Sequence, residues 1–163
     1  MIDLAGLKTQ LKTIFDDANT TTATADLSSG LTTRVAQVLK VNPARIPVQA
    51  NYFPCVTCFI DSKEIEPKDI AVNQLMAKRE AVVAVKIVGS VYKSLQNNAK
   101  LDEADDECEK LMENIEQVLR GNPSLSGLAT WQFPTRVTYH NAQIDEGVHI
   151  RAGILNLETT IYY

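Results

Sequence analysis

A chain of 163 residues, 45% apolar and 22% charged, can bury one core without disulfide or metal staples and is too apolar to be disordered throughout. Its formal net charge of −4, with Lys and Arg scattered rather than clustered, excludes a basic footprint for gripping a phosphate backbone. No apolar run reaches the roughly 18 residues of a membrane span, the start MIDLAGLKTQL has an acid where a secretory leader wants a positive charge, and an odd cysteine count suits free thiols in a cytoplasm.

Leu4, Leu7, Leu11, Ile14, Phe15 and Ala18 recur at spacings of three and four, which predicts an amphipathic first helix. The following NTTTATADLSSG, residues 19–30, is Thr-, Ala- and Ser-rich and reads as a mobile loop. In LTTRVAQVLKVNPARIP the apolar residues suit either a helix or a strand, and the Asn42-Pro43 break does not decide between them. YFPCVTCFID predicts a strand from Cys55 to about Ile60.

REAVVAVKIVGSVYKS is the strongest strand, with Val83, Val85, Ile87 and Val91 on one face. Between these two strands, residues 61–79 form the extended tip of a long hairpin, and a loop of that length usually has a task. A second helix follows, with Leu101, Ala104, Cys108, Leu111, Met112, Ile115, Val118 and Leu119 in one stripe and Asn98 as its candidate cap. TWQFPTRVTYHN predicts one strand with Trp131, Phe133, Thr135, Val137 and Tyr139 on a face. The last strand, HIRAGILNLETTIYY, follows a turn at Asp145-Glu146-Gly147. Its apolar phase changes beside Gly153, which predicts a β-bulge there. The whole is expected to be a single α+β domain over 1–163, a mostly antiparallel sheet packed against two helices.

Motifs for chemistry are weak. Cys55 and Cys58 have C-x-x-C spacing, but three positions apart on a strand they point to opposite faces, so they read as buried thiols. His140 and His149 flank the last turn as potential cross-strand neighbours without a third ligand. Asp102, Glu103, Asp105, Asp106, Glu107 and Glu109 read as a solvated helix face rather than a cation site or paired carboxylates for acid–base chemistry. No phosphate loop, dinucleotide fingerprint, zinc-protease motif or nucleophile elbow occurs. No cofactor or metal is expected, and no enzyme activity.

The order of elements resembles the tail terminator (tail completion) proteins of long-tailed bacteriophages. The resemblance rests on an N-terminal amphipathic helix, a strand entered through YFPCVTCFI, a polar excursion, the strand REAVVAVKIVG, the helix LDEADDECEKLMENIEQVLRG, an NPSLSGL connector and a final strand pair ending LETTIYY. It implies a virion protein, made in the host cytoplasm, that forms a ring of usually six copies on the tail tube. That ring halts polymerisation and offers a joining surface to the head's connector or stopper. It also resolves RVAQVLKV toward a strand. DNA would pass without specific binding, and the acidic helix would line the lumen or rim. Candidate assembly contacts are Ile65, Ile70, Val72, Leu75 and Met76 of the tip, with Tyr162 and Tyr163 at the end. The alternatives are another neck component, connector or stopper, or a small cytoplasmic ligand-binding α+β domain.

Overall fold

The computed structural model describes residues 4–65, 80–94, 99–125, 130–131, 136–145 and 147–162. Helix α1, Leu4–Ala18, buries Leu7, Leu11, Ile14 and Phe15, the stripe its periodicity marks out. Each such side chain taken from water contributes about 1.5–3 kcal/mol. Strands β1, Gln37–Leu39, β2, Cys55–Ile65, and β3, Glu80–Ser94, precede helix α2, Ala99–Arg120; β4, Thr130–Trp131, β5, Val137–Asp145, and β6, Val148–Tyr162, follow it.

The six strands make one sheet in the order β1-β2-β3-β6, with β4 and β5 both on the outer side of β6. Only β1 and β2 are parallel, so the sheet is mixed and mostly antiparallel. Both helices cover one face, and together with the sheet they make an α+β fold. Leu7, Leu11 and Phe15 meet Cys108, Leu111, Ile115 and Leu119 over Val56, Val83, Val85, Ile87, Leu155 and Leu157 in one continuous core. On the opposite face a smaller cluster of Ile46, Phe53 and Cys55, with Tyr92 and Ile150 beside it, lies under the segment 40–54, where Phe53 and Tyr92 stack with ring centroids 5.7 Å apart.

That second cluster corrects the reading of β6. The β3–β6 register runs unbroken from Glu80↔Tyr162 to Ser94↔Val148, and β5 pairs evenly past Gly153, so no bulge occurs there. Leu155, Leu157 and Ile161 face the helices, whereas Ile150 faces the smaller cluster, and the apolar phase changes because the strand is covered on different faces at its two ends. Gly153 serves close packing instead. It pairs with Gly89, and a Cβ built on it would lie 2.4 Å from Met112 Cγ. Two adjacent glycines let α2 settle onto the sheet.

The other strands depart from expectation mainly in their extent. Strand β2 continues to Ile65, because an extra residue at Asp61 shifts the register between Ile60 and Ser62 and lets Ser62–Ile65 pair with Ala81–Ala84. Residues 61–65 therefore belong to the ladder, and the rest of the expected tip, with Ile70, Val72, Leu75 and Met76, lies outside the described residues, as does Asn98. Of the single strand expected over TWQFPTRVTYHN, β4 and the start of β5 both pair with β6, and residues 132–135 between them lie outside the described residues. The ambiguous segment is a strand, though only three residues long.

The expected mobile loop, residues 19–30, is fastened to the body. Leu27 is fully buried, and its carbonyl and that of Ser29 accept from the buried Asn114 amide at 3.1 and 2.8 Å. Ser28 Oγ donates to Asn19 Oδ1 and accepts from Val35 N–H, while Asn19 Nδ2 donates to the Val35 carbonyl. The Arg34 guanidinium forks onto Asp26 at 2.8 and 3.1 Å and holds that carboxyl below the usual carboxylate range.

Candidate assembly surfaces

The acidic residues of α2 divide into two groups. Asp102, Glu103, Asp106 and Glu109 are exposed, as a solvated face requires. Asp105 does not belong with them: its Oδ1 lies 2.9 Å from Arg151 Nε of β6, an ion pair by distance though that N–H is not aimed well enough for a hydrogen bond. Asp105 stays half exposed, whereas Glu107 turns inward, 3.1 Å from Lys93 Nζ of β3, and accepts from Thr32 N–H. These two carboxylates pin the front half of α2 across β3 and β6. Helix spacing shows which acids share a face but not which cations stand beneath it.

Arg151 organises the neighbouring surface. It donates to Asn141 Oδ1 at 2.8 Å and lies 5.4 Å from the centroid of Tyr139, whose hydroxyl is pushed up by partial burial and by nearby anionic groups, including Glu109, Glu113 and Glu116 of α2. The histidines do not form a pair. His140 pairs with Ala152 and His149 with Gln143, so the two lie on opposite faces, His140 exposed and His149 buried. Among the described residues no group of three or more His, Cys, Asp or Glu is placed to hold a metal ion.

The thiols behave as small hydrophobes. Cys58 lies in the main core and Cys55 in the smaller cluster, on opposite faces, and burial pushes Cys55, Cys58 and Cys108 each up to about 12. The native protein is expected to be inert to an aromatic disulfide reagent at pH 8, with all three thiols reacting on unfolding. Because the folded thiols stay neutral while unfolded ones ionise near 9.0, their stabilising effect is complete below that pH and is lost as pH rises toward 12. A flat stability profile from pH 8 to 11 would contradict this.

Of the expected assembly contacts, Ile65 ends β2 opposite Ala81, and Tyr162 ends β6 opposite Glu80, while Tyr163 lies outside the described residues. The sheet adds two surfaces that strand periodicity alone does not reveal. β5 and β1 stand at its two sides, each with a strand partner on one side only among the described residues. No described helix is long and apolar enough to cross a membrane. The sequence matches no protein-family model and shows no significant similarity to any curated protein.

Proposed function

We propose that this chain is a structural virion protein that assembles as a ring at the head-proximal end of a phage tail tube, ends tube growth and offers the joining surface for the head. The observation that supports this reading is the succession of elements. An amphipathic helix, a strand entered through YFPCVTCFI, its antiparallel partner, the long helix α2 and a closing antiparallel pair follow one another in the order the resemblance implies. The open strands at both sides of the sheet suit a subunit that meets two neighbours through different patches. Its partners are then further copies of itself, the tube protein and a connector or stopper.

Electron microscopy of particles lacking the protein tests the reading. Overlong tubes are expected; tubes of normal length that fail to join heads would assign a connector or stopper role instead. A companion test uses Ile70→Asp with Leu75→Asp. The double variant is expected to keep the thermal transition of the parent and to lose assembly, and loss of the transition itself would place those residues in the core.

A further inference from the structure

Taking the ring as the assembled state, on which this inference rests, we propose that it closes by β-strand addition, β5 of one subunit pairing antiparallel with β1 of the next. A cyclic ring joins two different patches, and rotation leaves height along the ring axis unchanged. With that axis along the strands, the two patches must stand at the same level of the sheet. They do. Followed rung by rung, Gln37 leads through Cys55, Ser90 and Ala152 to His140; Val38 leads through Val56, Gly89 and Gly153 to Tyr139; and Leu39 leads through Thr57, Val88 and Ile154 to Thr138.

Strand direction agrees. β1 runs with β2, and three successive antiparallel pairings then leave β5 running opposite to β1. Two subunits placed side by side with their sheets facing alike therefore bring β5 against β1 in the antiparallel sense, and the alternation continues across the junction. The faces agree as well. Gln37 and His140 both lie on the face away from the helices, and Val38 and Tyr139 on the helix side.

β5 is also undefended as an edge. It is nine residues long, contains no proline, lysine or glycine, and has its single register shift next to the turn. Side chains from Val137 to Asn141 are all at least partly exposed. By contrast β2, where it runs on past β1, carries the Asp61 bulge and the exposed acids Asp61 and Glu64, which discourage pairing. The occupant that an open backbone edge selects is another extended backbone, and the strand at its own height and opposite direction belongs to a second copy of this chain.

The test is a disulfide between subunits. Directly opposed residues of an antiparallel pair have Cα atoms about 4.5–5.5 Å apart, within the span a disulfide bridges. Gln37→Cys with His140→Cys, both exposed positions, is expected to convert the monomer band of the full chain into a reducible ladder under mild oxidation, once free thiols are alkylated before denaturation. Gln37→Cys with Asn141→Cys, whose side chains fall on opposite faces, should stay monomeric, as should each single variant; matching thermal transitions verify that every variant folds. Rings seen by electron microscopy with no ladder, or with a ladder in the mismatched pair too, would overturn the edge pairing and leave the ring standing. Failure of the unmodified protein to form rings, alone or with tail tubes, would overturn the ring reading and this inference with it.

Discussion

Gly153→Ala is expected to destabilise the protein by about 3 kcal/mol, the upper end of what overpacking a core costs. The added Cβ would sit 2.4 Å from Met112 Cγ and 2.7 Å from its Sδ, with Tyr139 Cε1 at 3.2 Å behind. Cγ is close to the backbone, so a change of rotamer at the tip of Met112 does not relieve the clash and α2 itself has to move. It is held down by Leu111 and Ile115 in the core and by the ion pairs of Asp105 and Glu107. Gly89→Ala meets only side-chain ends, the nearest being Met112 Sδ at 2.9 Å and Leu111 Cδ2 at 3.0 Å, and should cost about 1 kcal/mol, the low end of the same range. Denaturant midpoints with an unchanged slope give both values. Combining Gly153→Ala with Met112→Ala removes the obstructing atoms, so the double variant should lose less than the sum of the single losses. Strict additivity would mean that the helix does not rest on this glycine.

The second large effect is expected at Asn114. Its side chain is 1% exposed and donates to two carbonyls of the loop that α2 holds. Asn114→Asp removes both donors and aims a charge at two carbonyl oxygens, a loss of about 3–5 kcal/mol at neutral pH, as for a buried charge left uncompensated. Protonation gives one donor back, so the folded carboxyl titrates above the ordinary value near 4. The folded variant therefore binds more protons than the unfolded one between those two values, and its stability falls as pH rises through them. Its deficit against the parent should narrow as pH falls from the raised folded value toward about 4, and change no further below that. Asn114→Leu, which leaves two carbonyls unpaired and adds no charge, should cost about 1–3 kcal/mol at every pH. A deficit for the Asp variant that does not change with pH would mean that the side chain has turned out to solvent.

The parts of this fold that could be read in the sequence are those governed by one period and one buried face. The stripes Leu7, Leu11, Ile14, Phe15 and Cys108, Leu111, Met112, Ile115 gave both helices, and the alternation Val83, Val85, Ile87 gave β3, because local spacing and burial coincide there. Where two faces are covered the same logic misleads. In β6, Ile150 and Leu155 are both inward-facing, each toward a different cluster, and a simple alternation reads that as a slip of the chain. The loop 19–30 looked free because its fastening comes from Asn114, far along the chain and counted as one polar residue in a helix. The divergence of Cys55 and Cys58 followed from strand geometry alone, whereas the separation of His140 from His149 depended on a register that only the assembled sheet defines. The proposed junction is less visible still: the equal height of β1 and β5 is a sum of four pairings, none of them local.

The position of β6 has a consequence for how the protein is made. This strand lies between β3 on one side and β4 and β5 on the other, and it follows all of them in the chain. During synthesis every earlier strand emerges before the one that joins the two halves, so the sheet cannot be completed until residues 148–162 have left the ribosome. β5 has no fixed place before then, and neither does the outer edge it carries. In the proposed ring, a chain not yet extended through β6 would therefore lack the β5 half of the junction, and the order of strands along the polypeptide would delay ring closure until residues 148–162 are in place.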